Sequence, residues 1–153
     1  MRLDNALIQT DLYRIKLDNY TLALIMYKES ELTKKIIGVA MAVHREIGVG
    51  YQEKIYHQAM IIALEDEHLL FETEKDVDIF FRNKLVGNFR LDLLIENTVV
   101  VELKAVVGEI PRIFQIQTIS YLKAVSKEVG LLINFGNPSL EVRRLARYHD
   151  YKK

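Results

Sequence analysis

Two carboxylates and a lysine interrupt segments of this chain that otherwise read as buried strand. Residues Val99 to Val107 run Val-Val-Val-Glu-Leu-Lys-Ala-Val-Val, a β-branched series suited to a central strand. Glu102 and Lys104 break it two residues apart, so both side chains leave the same face. Upstream, Asp92 breaks a second apolar strand, Phe89-Arg-Leu-Asp-Leu-Leu-Ile95. An uncompensated charge in such surroundings costs on the order of several kcal/mol. Two carboxylates and a lysine converging on one sheet can hold a divalent cation and activate a water beside it.

That chemistry sets a condition on register. Asp92 and Glu102 share a metal only if they emerge from the same face. Hairpin partners have position numbers with a constant sum. A two-residue turn at Glu96-Asn97 pairs Asp92 with Val101 and turns Glu102 to the wrong face. A three-residue loop, Glu96-Asn-Thr98, pairs Asp92 with Glu102 directly. Asn97 tolerates the positive φ such loops need, so an odd-numbered loop or an equivalent bulge is expected here.

The flanking elements follow from periodicity. Ser30 is placed to cap a helix in which Ile36, Ala40, Val43 and Ile47 recur at helical spacing, closed by Gly48-Val-Gly50. A second helix is expected from about Gln52 to His68, with Ile55, Ala59 and Ile62 on one stripe and Tyr56, Met60 and Ala63 on the next. Val77–Phe81, Leu85–Ile95 and Val99–Val106 read as strands, with a turn at Arg82-Asn-Lys84. Pro111 suits the first turn of a helix running to about Lys127. Val129–Phe135 is a short apolar strand ended by Gly136-Asn-Pro138, and the arginine-rich tail from Ser139 adds a strand or a helix. The order α-α-β-β-β-α-β predicts an α/β fold with a mixed central sheet flanked by helices, antiparallel in its first three strands. Residues 1–28 read as an N-terminal extension and 29–153 as one domain.

Composition narrows the function classes. The chain of 153 residues has 21 Lys+Arg and 21 Asp+Glu, so bulk charge gives no support for nucleic-acid binding, and any such surface must be a local patch. Without cysteine, disulfides and cysteine-ligated zinc or iron–sulfur sites are excluded, which fits a cytoplasmic location. Tyr20–Tyr27 is too short to cross a bilayer, so no membrane partner is expected. The four histidines are scattered without zinc-site spacing and read as surface or satisfied residues. No Walker loop, dinucleotide fingerprint or cysteine nucleophile is present.

Asp92, Glu102-Leu-Lys104, and Gln117 with Tyr121 one helical turn later resemble the PD-(D/E)XK nuclease superfamily. Gly50-Tyr-Gln-Glu53-Lys-Ile-Tyr56, Val-Glu-Leu-Lys-Ala and Gly130-Leu-Leu-Ile-Asn-Phe-Gly136 are similar to its GxxExxY proteins. The resemblance spans roughly Met26 to Arg147. It implies a restriction-endonuclease-like core and a nuclease dependent on Mg²⁺ or Mn²⁺. Asp92 and Glu102 would be metal ligands, joined by the Leu103 carbonyl. Lys104 would position or deprotonate the attacking water, Glu53 would add a further carboxylate, and Gln117 would orient Lys104 or a phosphate. The implied partner is nucleic acid, most simply DNA, and a homodimer would set two sites on two strands. The sequence departs from the family at Phe114-Gln-Ile-Gln117, where relatives often carry His-Glu-Ala-Gln.

Other readings stand beside these. Glu102 and Lys104 could form an ion pair at a solvated sheet edge. Glu53 could serve only the dipole of its helix. Tyr56 and Tyr121 read as core residues with satisfied hydroxyls. Arg143, Arg144 and Arg147, with Lys152 and Lys153, could track a phosphate backbone or form an ordinary solvated face. The whole domain could be a catalytically inactive nuclease fold that binds nucleic acid or protein.

Overall fold

In the computed structural model, residues 28–147 are described. Most of the expected N-terminal extension, and the tail with His149, Lys152 and Lys153, lie outside them.

Helix α1 (Ser30–Ile47) turns Ile36, Val39, Ala40 and Val43 to the core and stops at Gly48, whose φ of 78° lets its N–H reach the His44 carbonyl. Ser30 does not cap it. Glu29 occupies the cap in the left-handed region, and Ser30 lies inside the first turn, where its carbonyl accepts from Thr33 Oγ1. Helix α2 (Glu53–Asp66) buries Tyr56, His57, Met60 and Leu64. The stripe through Ile55 and Ile62 is left outside, at 41% and 60% exposure. α2 therefore rests on the sheet through one face, and Ile55 and Ile62 of the second apolar stripe find no covering layer among the described residues, whereas Ala59 packs on the core.

Five strands follow in spatial order β1-β2-β3-β4-β5: β1 (Phe71–Phe81), β2 (Lys84–Ile95), β3 (Val99–Lys104), β4 (Val129–Asn134) and β5 (Glu141–Ala146). Pairing is antiparallel except between β3 and β4, which run parallel because helix α3 (Arg112–Val125) carries the chain across. The arginine-rich tail supplies β5. Strand β1 begins six residues earlier than its apolar segment suggests, because its first half is mostly charged. The β1–β2 turn has two residues, Arg82 and Asn83, both at positive φ, with Phe81 opposite Lys84.

The sheet is covered on both faces. Leu93, Ile95, Val99, Val101, Leu103, Leu131 and Ile133 pack with α1 and α2. Leu94 and Val100 pack on Leu122 of α3, and Leu132 packs with Phe114 and Ile119. Gly130 in β4 lies against Thr118 and Leu122, where an added Cβ would come within 3.2 Å of Thr118 Cγ2. A side chain here would require Thr118 to give by a few tenths of an ångström.

Candidate active site

The β2–β3 loop has three residues. Ile95 pairs with Val99, Leu94 with Val100 and Leu93 with Val101, and Glu96 and Asn97 take φ of 52° and 51°. The constant sum places Asp92 opposite Glu102. There the ladder stops. Leu93 faces α1 and α2, whereas Leu91 packs on the α3 side, so the alternation of β2 breaks at Asp92. On β1 the residue opposite, Glu74, has a φ of 50°. Both strands of the hairpin bend away from β3 at this point.

The two carboxylates occupy the resulting fork and replace the missing ladder bonds. Leu103 N–H donates to Asp92 Oδ2 at 2.8 Å, and Asp92 N–H donates to Glu102 Oε1 at 3.2 Å. Glu102 is 6% exposed. Burial is the first cause that pushes its carboxyl up to about 9; the Asp92 charge adds to it, and so does a hydrogen bond between the two carboxyls, whereas the Asp92 N–H and Lys104 oppose it. A buried carboxyl beside a second carboxylate is one whose charged form added positive charge would stabilise.

Lys104 follows Glu102 on the same face. Its Nζ lies 4.4 Å from the centre of the Phe114 ring. Phe114 thus holds the ammonium. Below the site, Asn134 is fully buried and anchors the exit of β3. Its Oδ1 accepts from Val106 N–H at 2.9 Å and its Nδ2 donates to the Val106 carbonyl at 2.9 Å. Asn137 repeats the clamp on Gly108, at 2.8 and 2.7 Å. Gly136 lets the two loops touch, since a Cβ there would stand 2.2 Å from the Val106 carbonyl oxygen.

Glu53 comes from the other layer, as the first residue of α2. Gly50 has a φ of 101°, and Tyr56, one turn into the helix, donates its hydroxyl to the Gly48 carbonyl at 2.7 Å while its ring stacks on Phe135. The glycine and the tyrosine fix the helix start, and the glutamate between them projects from it. Desolvation raises the Glu53 carboxyl, Lys104 lowers it, Asp92 raises it and His57 lowers it. Glu53 therefore shares the electrostatic field of the fork.

The structure places Asp92, Glu102, Leu103, Lys104 and Glu53 around the fork. Gln117 is exposed on the outer flank of α3 with Ile113 and Ala124, and no hydrogen bond joins it to Lys104. The sheet-facing stripe of α3 is Gln115, Thr118 and Leu122. Gln115 Oε1 is sealed from solvent without a partner among the described residues. Tyr121 is stacked on Phe89 at 4.1 Å. Burial, then Glu102 and Asp92, push its hydroxyl up. Its hydroxyl has no hydrogen-bond partner among the described residues and is open to solvent.

Two of the histidines have partners within the fold. His57 Nε2 lies 2.9 Å from Thr73 Oγ1 and His44 Nε2 lies 2.8 Å from the Asn137 carbonyl. The tail arginines are engaged within the fold: Arg143 pairs with Glu141, Arg144 is buried, and Arg147 donates to the Lys127 carbonyl. They do not form a free phosphate track.

A two-carboxylate fork on a mixed sheet, followed two residues later by a lysine, agrees with the sequence profile of the PD-(D/E)XK nuclease superfamily, which matches residues 30–145. The chain belongs to that superfamily. Among solved folds, this PD-(D/E)XK domain is similar to the crystal structure of SSO0001, with a TM-score of 0.52 and 23% identity over 64% of this chain and 52% of that one. It spans about half the length of that protein, and the likeness is one of fold. No curated protein matches the sequence.

The donor set fits a hard divalent cation. Among the described residues no three His, Asp or Glu side chains close into a cage, but Mg²⁺ uses one or two protein carboxylates and keeps several waters. The adjacent Asp92 and Glu102 carboxyls offer the oxygens such an ion would take.

Proposed function

We propose that this PD-(D/E)XK protein is a Mg²⁺- or Mn²⁺-dependent nuclease of the GxxExxY group that hydrolyses phosphodiester bonds in DNA, in the cytoplasm. The observation that carries the reading is buried Glu102 with half-buried Asp92 against it and Lys104 beside them, a gathering of ionisable groups that folding alone gives no reason to build. Asp92 and Glu102 would hold the ion, with the Leu103 carbonyl and Glu53 at its edge. A bound ion supplies charge neutralisation on the scissile phosphate and acidifies a nearby water. Lys104 then has two tasks: its Nζ orients the attacking water and stabilises negative charge on the phosphate. Phe114 holds that ammonium at a fixed height above the strand, which limits the motion Lys104 must lose on reaching the substrate. Glu53 can accept a proton at the fork, its carboxyl already raised by desolvation. Gln117, exposed on α3, would orient a substrate phosphate rather than Lys104.

The rival reading, an inactive nuclease fold that binds nucleic acid or protein, draws on one observation: both carboxylates already have backbone N–H partners and no third acid closes on them. Calorimetric titration with Mn²⁺ separates the two. The nuclease reading expects a binding heat in the wild type that Asp92→Ala removes. No heat in either protein supports the inactive module.

A further inference from the structure

Beyond the fork, β1 and β2 continue as a two-stranded ribbon. From Lys75 opposite Leu91 out to Phe81 opposite Lys84, no third strand among the described residues supports them, since β3 pairs with β2 only at Leu93–Ile95. Helix α3 covers the base, where Val77 and Phe89 pack near Tyr121 and Val125. Farther out the ribbon is bare. Phe80, Phe81, Leu85 and Val86 are 61%, 60%, 61% and 61% exposed. A register shift after Ile79 leaves Val86 as an extra residue and sharpens the twist of the tip. The Arg82 guanidinium lies 4.9 Å over the Phe81 ring. The tip from Ile79 to Gly87, Ile-Phe-Phe-Arg-Asn-Lys-Leu-Val-Gly, holds two cations and no carboxylate, with Asp78 opposite Asn88 at its foot, in a chain of zero net charge. Bare hairpins are marginal in water, and large exposed apolar clusters mark contact surfaces.

We propose that this tip docks in a groove of duplex nucleic acid to one side of the cleaved bond, an inference that rests on the nuclease reading of the fork. Charge decides between occupants. Arg82 and Lys84 complement a phosphate backbone, whereas a second copy of the chain meeting tip to tip would bring the same cations together with no carboxylate to answer them. Shape agrees, since the major groove admits a two-stranded β-ribbon and apolar side chains there meet thymine methyls. Length agrees as well. Seven residues separate Leu85 from Asp92, roughly 23 Å at strand rise, which is about seven base pairs of duplex at 3.4 Å each. The tip therefore reads the duplex most of a helical turn away from the fork.

The test uses the full chain with both cations removed, as Arg82→Asn/Lys84→Gln, in which asparagine suits the left-handed φ at position 82. Phe81→Ala is a second, independent variant that keeps both charges. Anisotropy titrations with a 30-base-pair duplex and with one of its single strands, in chelator across a salt series, read binding without cleavage. The double variant is expected to lower the logarithmic salt slope on duplex by about two and the affinity at 0.1 M salt on the order of 50-fold. Phe81→Ala is expected to weaken duplex binding several-fold with the slope unchanged, and single-strand affinity should move less in both. Duplex binding unchanged in both variants, equal losses on single strand, or a changed elution volume in place of changed affinity each overturn the proposal. Mn²⁺-dependent cleavage by the wild type is read in parallel. If cleavage stands and the tip variants bind normally, the tip proposal alone falls. If the wild type neither cleaves nor binds, both fall.

Discussion

The ammonium of Lys104 rests 4.4 Å above the Phe114 ring, so a residue of α3 sets the position of the one cation that follows the acidic pair on β3. Cation–π contacts of this kind contribute about 0.5–2 kcal/mol. Phe114→Leu keeps an apolar side chain on the Leu132 and Ile119 cluster but removes the ring face. It is expected to lower kcat by about two- to thirtyfold, the same energy expressed as a rate, with KM little changed. Single-turnover cleavage measures this. Lys104→Ala should lose at least about 100-fold in kcat and retain its Mn²⁺ binding heat.

Stability without metal should depend on pH through Glu102. Its folded carboxyl is raised to about 9 from an ordinary 4.5, with burial as the main cause. Below 4.5 the group is protonated in both states and costs nothing. As pH climbs from 4.5 towards 9 the unfolded chain releases this proton and the folded chain does not, so folding stability falls throughout that window. Glu102→Gln removes the effect. In chelator, its Tm should exceed that of the wild type at pH 8, and the advantage should disappear near pH 4.5. Thermal melts at the two pH values check the sign.

The loop clamp predicts a different kind of loss. Asn134 is fully buried and bonds both the N–H and the carbonyl of Val106. Asn134→Ala strands both groups and is expected to cost about 2–4 kcal/mol by denaturant titration. Gly136→Ala should be at least as damaging, because its Cβ would overlap the Val106 backbone. The stable fraction of Asn134→Ala should also show reduced kcat, since β3 loses the anchor two residues after Lys104.

Tyr56 offers a test of how Glu53 is held. Tyr56→Phe keeps the stacking on Phe135 and removes the hydroxyl bond to the Gly48 carbonyl. The expected cost is about 1 kcal/mol, with a several-fold fall in kcat that Glu53→Ala already contains. Rates of the two single variants and the double variant decide this, because additive losses would show that Tyr56 does not act through Glu53.

The carboxylate register was legible because it is arithmetic. Strand side chains alternate strictly, so Asp92 and Glu102 could meet only across an odd loop, and Asn97 was suited to one. The ordering of helices and strands was legible from periodicity for the same reason. What the residues did not disclose depended on where one element lies over another. The stripe of α2 through Ile55 and Ile62 is as apolar as the buried one, and only the absence of a covering layer separates them. On α3, Gln115 and Gln117 are alike as letters, and a rotation of the helix on the sheet buries the first and exposes the second. Phe114 looked like a lost polar group, and its use as a rest for Lys104 follows from the height of α3 above β3. The early half of β1 was hidden by its charges, which a strand at the edge of the sheet can turn to solvent.

The central claim is that the fork of Asp92 and Glu102 with Lys104 is a metal-dependent phosphodiesterase centre. The most direct measurement is cleavage of duplex DNA in Mn²⁺ by purified wild type and by Lys104→Ala prepared identically. The account predicts cleavage by the wild type that chelator abolishes and that Lys104→Ala lacks. Equal cleavage by both proteins, or none by a wild type shown to be folded, would contradict it.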